Sequence, residues 1–110
     1  MQASFDDFMK VDMRVGIIRE IQEFPRAHKP AYKVRVDFGA EIGEKWSSVQ
    51  ATHYGVDALV GRRVIGVVNF APKNIGGFMS ECLILGVPDD EGKVVLLKPD
   101  SDAPLGGRVY

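Results

Sequence analysis

The chain has a single cysteine and no long apolar run. Cys82 has no partner for an internal disulfide, which excludes a disulfide-stapled fold and favours a reducing compartment. The most apolar segment runs only from Val64 to Pro72, far short of the roughly 20 residues that cross a bilayer. The first ten residues carry two aspartates and no apolar run, which excludes a secretory leader. We therefore expect a cytoplasmic protein without membrane insertion.

An excess of charge of one sign is also missing. The net charge is −1, although 26% of the residues are charged, and 45% are apolar. This composition excludes a disordered chain, because there is enough apolar surface to build a core. Basic residues are concentrated in two segments, 10–35 and 62–73. These segments either meet on one face as an anion-binding patch or alternate around a solvated surface.

The arrangement of strands indicates the fold class. Twelve glycines and six prolines favour short strands and many turns. Apolar residues alternate most clearly over residues 31–38, and a glycine within the first strand, Gly16, predicts a bulge or a sharp bend. We predict strands over 11–24, 31–38, 45–51, 62–70 and 80–87, a helix over 52–60 capped by Thr52, and a loop over 71–79. This order predicts one domain over 1–110, all-β with short helices: an OB-fold, five-stranded Greek-key barrel with N- and C-terminal extensions.

The sequence gives no sign of catalysis. His28, His53 and Cys82 are widely spaced, and no metal-binding or nucleophile motif is present. Cys82 lies in an apolar strand, where it packs as a small hydrophobic residue. We therefore expect no enzyme activity, no catalytic residue, no metal and no cofactor.

The segment 69–80, N-F-A-P-K-N-I-G-G-F-M-S, holds four large apolar side chains in a predicted loop. They are Phe70, Ile75, Phe78 and Met79. Because a loop rarely buries so many, we predict a partly exposed apolar groove, with Trp46 either in its wall or in the barrel core. Such a surface suits unpaired bases or an extended apolar peptide.

Several motifs of the chain resemble a known family. Residues 12–16 read D-M-R-V-G, residues 36–39 read V-D-F-G, and residues 69–80 follow the pattern N-x-x-P-x-x-x-x-G-x-x-S. In this order they resemble the tRNA-binding domain of methionyl-tRNA synthetase C-termini and of small tRNA-binding proteins. The run K-N-I-G-G-F-M-S-E and the ending L-G-x-x-V are most similar to the CsaA-type export chaperones within that superfamily.

The resemblance implies a homodimer built from the N-terminal helix, residues 1–10, and the tail, residues 99–110. The apolar residues of these extensions that would form the interface are Phe5, Phe8, Val109 and Tyr110. The polar or RNA-binding positions carried over from the family are Arg14, Asn69, Lys73 and Ser80. Lys33 joins them as a nearby cation that favours acidic peptide flanks or RNA phosphate.

One departure from the family concerns its RNA-binding loop. The usual H-P-x-A-D-K-L is replaced by F-P-R-A-H-K-P over residues 24–30. We therefore predict a homodimeric, ATP-independent chaperone that binds unfolded or exported polypeptides, in contact with the protein-export machinery. The alternative is a free-standing tRNA-binding protein that recognises tRNA shape, and both activities could share one surface.

Overall fold

The computed structural model describes all residues from 1 to 110. Three short helices and nine strands follow one another along the chain. In order they are α1 (Phe5–Lys10), β1 (Met13–Glu23), β2 (Tyr32–Asp37), α2 (Gly39–Ile42), β3 (Glu44–Val49), α3 (Val56–Leu59), β4 (Arg63–Val67), β5 (Lys73–Ile75), β6 (Phe78–Ser80), β7 (Leu83–Ile84), β8 (Gly86–Pro88) and β9 (Val94–Leu96). None of the three helices has the length and apolar character needed to cross a membrane.

Five of the strands form one antiparallel sheet in the order β3-β2-β1-β4-β7. The sheet curls until its outer strands meet. At this seam Glu81, two residues before β7, donates its backbone N–H to the carbonyl of Trp46 in β3 at 2.7 Å. The hydroxyl of Ser47 donates to the carbonyl of Cys82 at 2.8 Å across the same seam. The result is a nearly closed five-stranded barrel, and the predicted OB-fold is confirmed.

The barrel core is packed around Phe38, which is fully buried. Its ring lies against two strand glycines, Gly16 in β1 and Gly66 in β4. A Cβ on Gly16 would lie 2.5 Å from Val36 Cγ1 and 2.8 Å from the Phe38 ring, and one on Gly66 would lie 2.8 Å from Phe38 Cζ. Both glycines are therefore required by close packing, since any larger residue would overlap the core.

The predicted irregularity at Gly16 is wrong in its position. Gly16 pairs regularly with Val64 of β4, and the shift in register lies instead between Ile18 and Glu20. Up to Ile17, β1 pairs with β4, and from Ile17 onward it pairs with β2. The bulge lies close to the point where the strand changes neighbours, which the local sequence does not show.

Two further local predictions need correction. The helix predicted from Thr52 begins only at Val56, after Gly55, although it ends before Gly61 as expected. The segment predicted as a loop is a β-hairpin of β5 and β6. Its turn is formed by Gly76 and Gly77, with φ of +57° and +86°, a region that side chains other than glycine rarely adopt. A second hairpin, formed by β8 and β9, spans residues 86–96.

The terminal segments lie along the barrel. Helix α1 opens with the predicted capping box, in which Asp7 N donates to Ser4 Oγ at 3.0 Å and Ser4 N donates to Asp7 Oδ2 at 3.1 Å. The tail pairs with the first half of β1, because Val109 N donates to the carbonyl of Met13 at 2.8 Å. Residues 106–109 thus occupy the edge of β1 that β2 leaves free.

Candidate functional site

The outer face of the barrel carries a cluster of three aromatic rings and one lysine, called here the aromatic–lysine cluster. Its members are Phe24 at the loop after β1, Lys33 in β2, Trp46 in β3 and Phe78 in β6. Phe78 contacts both other rings edge-on, with centroid distances of 5.3 Å to Phe24 and 6.4 Å to Trp46. Lys33 Nζ lies 5.0 Å from the Phe24 ring centroid and 5.1 Å from that of Phe78. The ammonium group is therefore held over two ring faces, a favourable cation–π arrangement.

A cleft opens beside this cluster, between the loop after β1 and the turn of the β5–β6 hairpin. Arg26 and Lys33 supply its positive charge, and Phe78 and Met79 supply apolar surface. The two walls nearly touch at Gly76, where a Cβ would lie 3.0 Å from the carbonyl oxygen of Arg26. The cleft thus combines cations with aromatic surface, which suits an anionic ligand that also offers a flat ring.

A second depression lies between β3 and the β5–β6 hairpin and is called here the hairpin groove. Ser48 and Gln50 form its side on β3, and Lys73 and Ile75 form its side on β5. In the hairpin register, Lys73 pairs with Ser80 and Ile75 with Phe78, so these four side chains share one face of the hairpin. The other face carries Asn74 and Met79.

The two ends of the hairpin groove differ in chemistry. One end is a cavity of about 360 Å³ with Phe70, Ala71 and Leu83 in its wall. Phe70 is 50% exposed and Leu83 is 48% exposed, so large apolar groups face solvent there. The opposite end is lined by the loop after β1, including His28 and Lys29. The groove is therefore apolar at one end and basic at the other.

The structure divides the five predicted groove residues between these places. Phe70 and Ile75 line the hairpin groove. Trp46 and Phe78 are half-buried in the aromatic–lysine cluster, and Met79 lies on the outward face of the hairpin with 48% of its surface exposed. The predicted single groove is thus two adjacent surfaces, one lined by Ile75 of β5 and the other containing Phe78 of β6.

Three of the predicted polar residues lie at these surfaces. Lys33 belongs to the aromatic–lysine cluster, and Lys73 reaches the hairpin groove from β5. Ser80 also lines the groove, where its hydroxyl accepts a bond from Ser48 N at 3.3 Å and donates to the carbonyl of Cys82 at 3.4 Å. Ser80 therefore links the hairpin to β3 as well as facing the groove.

The other two predicted polar residues, Arg14 and Asn69, lie in a different network, called here the terminal junction. Asn69 Oδ1 accepts from Asp12 N at 2.9 Å, and its Nδ2 donates to the carbonyl of Lys10 at 2.8 Å. Arg14 donates through Nε to Asp12 Oδ1 at 2.6 Å and through Nη1 to the carbonyl of Gly106 at 3.0 Å. The bond to Asp12 raises the pKa of Arg14. Both side chains therefore hold the terminal segments to the barrel.

The four predicted interface residues lie on the two terminal extensions, which the terminal junction holds to the barrel. Arg108 Nη2 donates to the carbonyl of Met9 at 2.7 Å and brings the tail against α1. The rings of Phe5 and Phe8 lie 6.4 Å apart, and Phe5 is 71% exposed. Tyr110 is fully exposed, whereas Val109 is half-buried. Exposed aromatic side chains therefore cluster on the terminal extensions.

Residues of possible reactivity lie apart from one another. No group of three or more histidine, cysteine or acidic side chains could hold a metal ion. Cys82 is buried in the core, and burial raises the pKa of its thiol to about 11. His53 Nε2 lies 2.8 Å from the carbonyl of Val94, which anchors the β8–β9 hairpin.

The sequence prediction missed several residues of the site, including Arg26 of the cleft and Ser48 of the hairpin groove. Phe24 completes the aromatic–lysine cluster, Gln50 forms part of the hairpin groove, and Leu83 forms part of its apolar wall. The signal for Phe24 was its place directly before Pro25 at the end of a strand. Leu83 lies within the strand predicted over 80–87, and nothing local shows that the barrel seam leaves it exposed.

Comparison with known proteins identifies relatives that all contain the same kind of domain. The family described as a putative tRNA binding domain matches residues 13–108. Methionine–tRNA ligases of Thermococcus onnurineus and Pyrococcus furiosus are 39% and 40% identical over 96% of the chain. The chain spans only 14% of the length of these ligases.

Solved structures match over nearly the whole chain. The CsaA chaperone protein from Picrophilus torridus is 46% identical, with a TM-score of 0.94 over 99% of this chain and 100% of its own. The chaperone CsaA from Bacillus anthracis is 41% identical, with a TM-score of 0.92 and full coverage of both chains. The MetRS-related protein from Pyrococcus horikoshii is 30% identical, with a TM-score of 0.86 over 100% of this chain and 99% of its own. Together with the barrel and the sequence motifs, these matches show that the chain belongs to the putative tRNA binding domain family, as a CsaA-type member.

Proposed function

We propose that this protein is a chaperone that binds extended apolar segments of unfolded or exported polypeptides, without ATP and without chemical catalysis. The observation that carries this proposal is the hairpin groove. Its apolar end exposes Phe70 and Leu83, and its middle offers the polar groups of Ser48 and Gln50. Covering such half-exposed apolar side chains is favourable by roughly 25 cal/mol per Å² of apolar surface. The high similarity to two proteins named CsaA chaperone supports the same assignment.

The proposal includes a homodimer formed through the terminal extensions, residues 1–10 and 99–110. Phe5 and Tyr110 expose large aromatic surface at this end, where the protomer itself leaves them uncovered. The terminal junction holds both extensions in a fixed position, which favours a defined interface. A dimer would carry two hairpin grooves, and two grooves on one long client would strengthen binding through effective concentration.

The proposal also includes a cytoplasmic location and contact with the protein-export machinery. The support for a reducing compartment is the single buried thiol, Cys82. A protein that holds exported polypeptides in an unfolded state would hand them to that machinery.

A second candidate function is binding of tRNA, and one specific observation favours it. Lys33 is held over Phe24 and Phe78 beside the cation of Arg26, on the outer face of β2 and β3. That strand face is where OB-folds bind oligonucleotides. Unpaired bases stack on such rings while the cations meet phosphates. The two functions would therefore use neighbouring surfaces, the hairpin groove beside β5 and the aromatic–lysine cluster beside β6.

The first experiment compares two ligands by fluorescence anisotropy at low and high salt. The ligands are labelled bulk tRNA and a labelled, urea-unfolded export precursor diluted into protein. Precursor binding that survives high salt supports the chaperone, because burial of apolar surface is not screened. Tight tRNA binding that falls steeply with salt, with no precursor binding, overturns the chaperone and leaves the second candidate.

A matched pair of variants locates the binding surface. Phe70→Ser removes a half-exposed ring from the hairpin groove, and Val95→Ser removes a comparably exposed side chain, 42% against 50%, from the distant β8–β9 hairpin. We expect Phe70→Ser to weaken precursor binding by about tenfold, as loss of a well-buried contact group commonly does, and Val95→Ser to leave it unchanged. Equal effects of the two substitutions would contradict the assignment of the groove.

A further inference from the structure

The backbone of β3 is paired on one side only over part of its length. On the side away from β2, Trp46 pairs with Glu81: its carbonyl accepts from Glu81 N at 2.7 Å, and its N–H donates to Glu81 Oε1 at 2.9 Å. In an antiparallel strand, the N–H and C=O of one residue point to the same side, and residues two positions apart point alike. The backbone groups of Ser48 and Gln50 therefore also point away from β2.

These later groups have no backbone partner. Ser48 N donates only to the hydroxyl of Ser80, at a long 3.3 Å, and the Ser48 carbonyl accepts only from the hydroxyl of Ser47, at 3.4 Å. The N–H and C=O of Gln50 make no hydrogen bond within the chain, and Gln50 is exposed. Residues 48–50 are thus an open strand edge, and both ends of the hairpin groove include Ser48 and Gln50. Open edges of this kind are templates for pairing with another extended chain.

We infer that the hairpin groove takes its polypeptide as an added β-strand along residues 48–50, an inference that rests on the proposed function. The added segment exchanges backbone hydrogen bonds with Gln50, directly after the end of β3, and with Ser48, where it replaces the Ser80 hydroxyl. Side chains of an added strand alternate between faces, so that every second one contacts the groove. This mode explains how one groove accepts many sequences, since the backbone is common to all of them.

The charge and the apolar surface of the groove determine which side chains the bound segment places at each end. An apolar side chain occupies the end with Phe70 and Leu83, and an acidic side chain lies at the other end near Lys29 and Lys73. A nucleic acid does not fit this edge, because its backbone presents phosphates and no regular alternation of N–H donors with C=O acceptors. The occupant is therefore an extended peptide with an apolar residue followed or preceded by an acidic one.

Strand addition predicts that every second backbone N–H of the bound peptide contributes to binding. The probe is a fluorescein-labelled seven-residue peptide in which threonine alternates with valine and leucine and two aspartates occupy one end. Seven further peptides each carry one N-methyl group, which removes an N–H and adds bulk. We expect N-methylation at every second central position to weaken binding by about tenfold or more, and the positions between them to bind within about twofold, since one lost hydrogen bond costs roughly 1 kcal/mol before the added bulk.

A pair of variants tests the same edge from the protein side. Gln50→Pro removes the Gln50 N–H, and Gln50→Ala removes the same side chain while keeping the N–H. Proline is tolerated where an edge N–H is unpaired and the preceding residue, here Val49, is extended. We expect the proline variant to bind the peptide about fivefold or more weakly than the alanine variant, with equal thermal unfolding midpoints.

The outcomes separate this inference from the proposed function. Peptide binding without a period of two, or equal binding by the two Gln50 variants, overturns strand addition. Absence of peptide binding by a protein that still captures the unfolded precursor also overturns it and leaves the chaperone intact. Loss of both activities overturns the proposed function itself. If the proline variant does not fold, the N-methyl series decides alone.

Discussion

The amide of Asn69 gives the sharpest test of what the family motif does in this chain. The side chain is exposed, yet both of its polar atoms are used at the terminal junction, one by Asp12 N at 2.9 Å and one by the carbonyl of Lys10 at 2.8 Å. Asn69→Ala removes both hydrogen bonds without creating a buried cavity. Each such bond contributes roughly 0.5–1.5 kcal/mol, and solvent access places these two in the lower half, so that we expect a loss of about 1–2 kcal/mol.

The expected loss is measurable by urea unfolding at one fixed protein concentration. For a domain of this size it lowers the thermal midpoint by roughly 5–10 °C. Because α1 loses its tether to the end of β4, sedimentation velocity should also show more monomer. Affinity for the unfolded precursor, measured for each protomer under stable conditions, should stay within about twofold, since Asn69 lies outside the hairpin groove.

The matched control is Asn74→Ala, which removes an exposed asparagine whose Oδ1 accepts from Gly77 N at 2.9 Å in the hairpin turn. This change should leave the monomer fraction unaltered and weaken precursor binding modestly, because Asn74 lines the basic end of the groove. A tenfold loss of precursor or tRNA binding by Asn69→Ala at unchanged stability would refute the structural role and restore Asn69 to the binding surface.

Three other predictions follow from features of the barrel and its outer face. Gly16→Ala places a Cβ 2.5 Å from Val36 Cγ1, so that overpacking should lower the free energy of unfolding by roughly 1–3 kcal/mol; an unchanged urea midpoint would contradict the packing argument. Lys33→Gln should weaken tRNA binding and reduce the slope of log affinity against log salt by about one, while binding of an uncharged peptide is unchanged; equal loss for both ligands would show that they share one surface. Cys82 should react with iodoacetamide far more slowly in the folded protein than in urea at pH 8. Burial raises the pKa of its thiol to about 11, so that the folded state holds the thiol proton more tightly than the unfolded state does. This contribution to the free energy of unfolding is lost as pH rises from about 9 to about 11. Rapid labelling of the folded protein would contradict the burial.

The sequence predicted those parts of the fold in which the burial of each residue can be inferred from its immediate neighbours in the chain. In β2 the buried Val34 and Val36 alternate with outward Lys33 and Arg35, and the buried Phe38 continues the alternation directly after the strand, so the strand and its faces are visible locally. The capping box of α1 is likewise contained in four consecutive residues. Once these elements were placed, their order was enough to predict the barrel.

What the sequence did not predict depends on partners far along the chain. The shift in register near Arg19 arises where β1 exchanges β4 for β2, and Gly16 is small because Phe38 packs against it. The β5–β6 hairpin was missed because each of its strands has three residues, too few for alternation to stand out.

The site was predicted in the same uneven way. Apolar residues are concentrated in the segment 69–80, which borders both surfaces, but their division between the two surfaces depends on contacts with distant segments. Phe78 points to the same face as Ile75, yet it packs against Trp46 and Phe24 from other segments. Asn69 and Arg14 share the motif region, but their bonds lead to the termini. A motif thus identified residues that matter without showing whether they bind a ligand or hold the fold.

The β5–β6 hairpin lies beside the strand edge of residues 48–50, and its position also affects the tendency of the protein to aggregate. An uncovered strand edge would let copies of the barrel join edge to edge into a continuous intermolecular sheet, the first step of aggregation. Strands in a sheet lie about 4.8 Å apart, so that a partner must bring a single narrow strand between β3 and β5 to reach this edge. A folded barrel is too wide to enter. A strand added as inferred above would therefore enter beside the β5–β6 hairpin, whereas a folded copy of the protein would not.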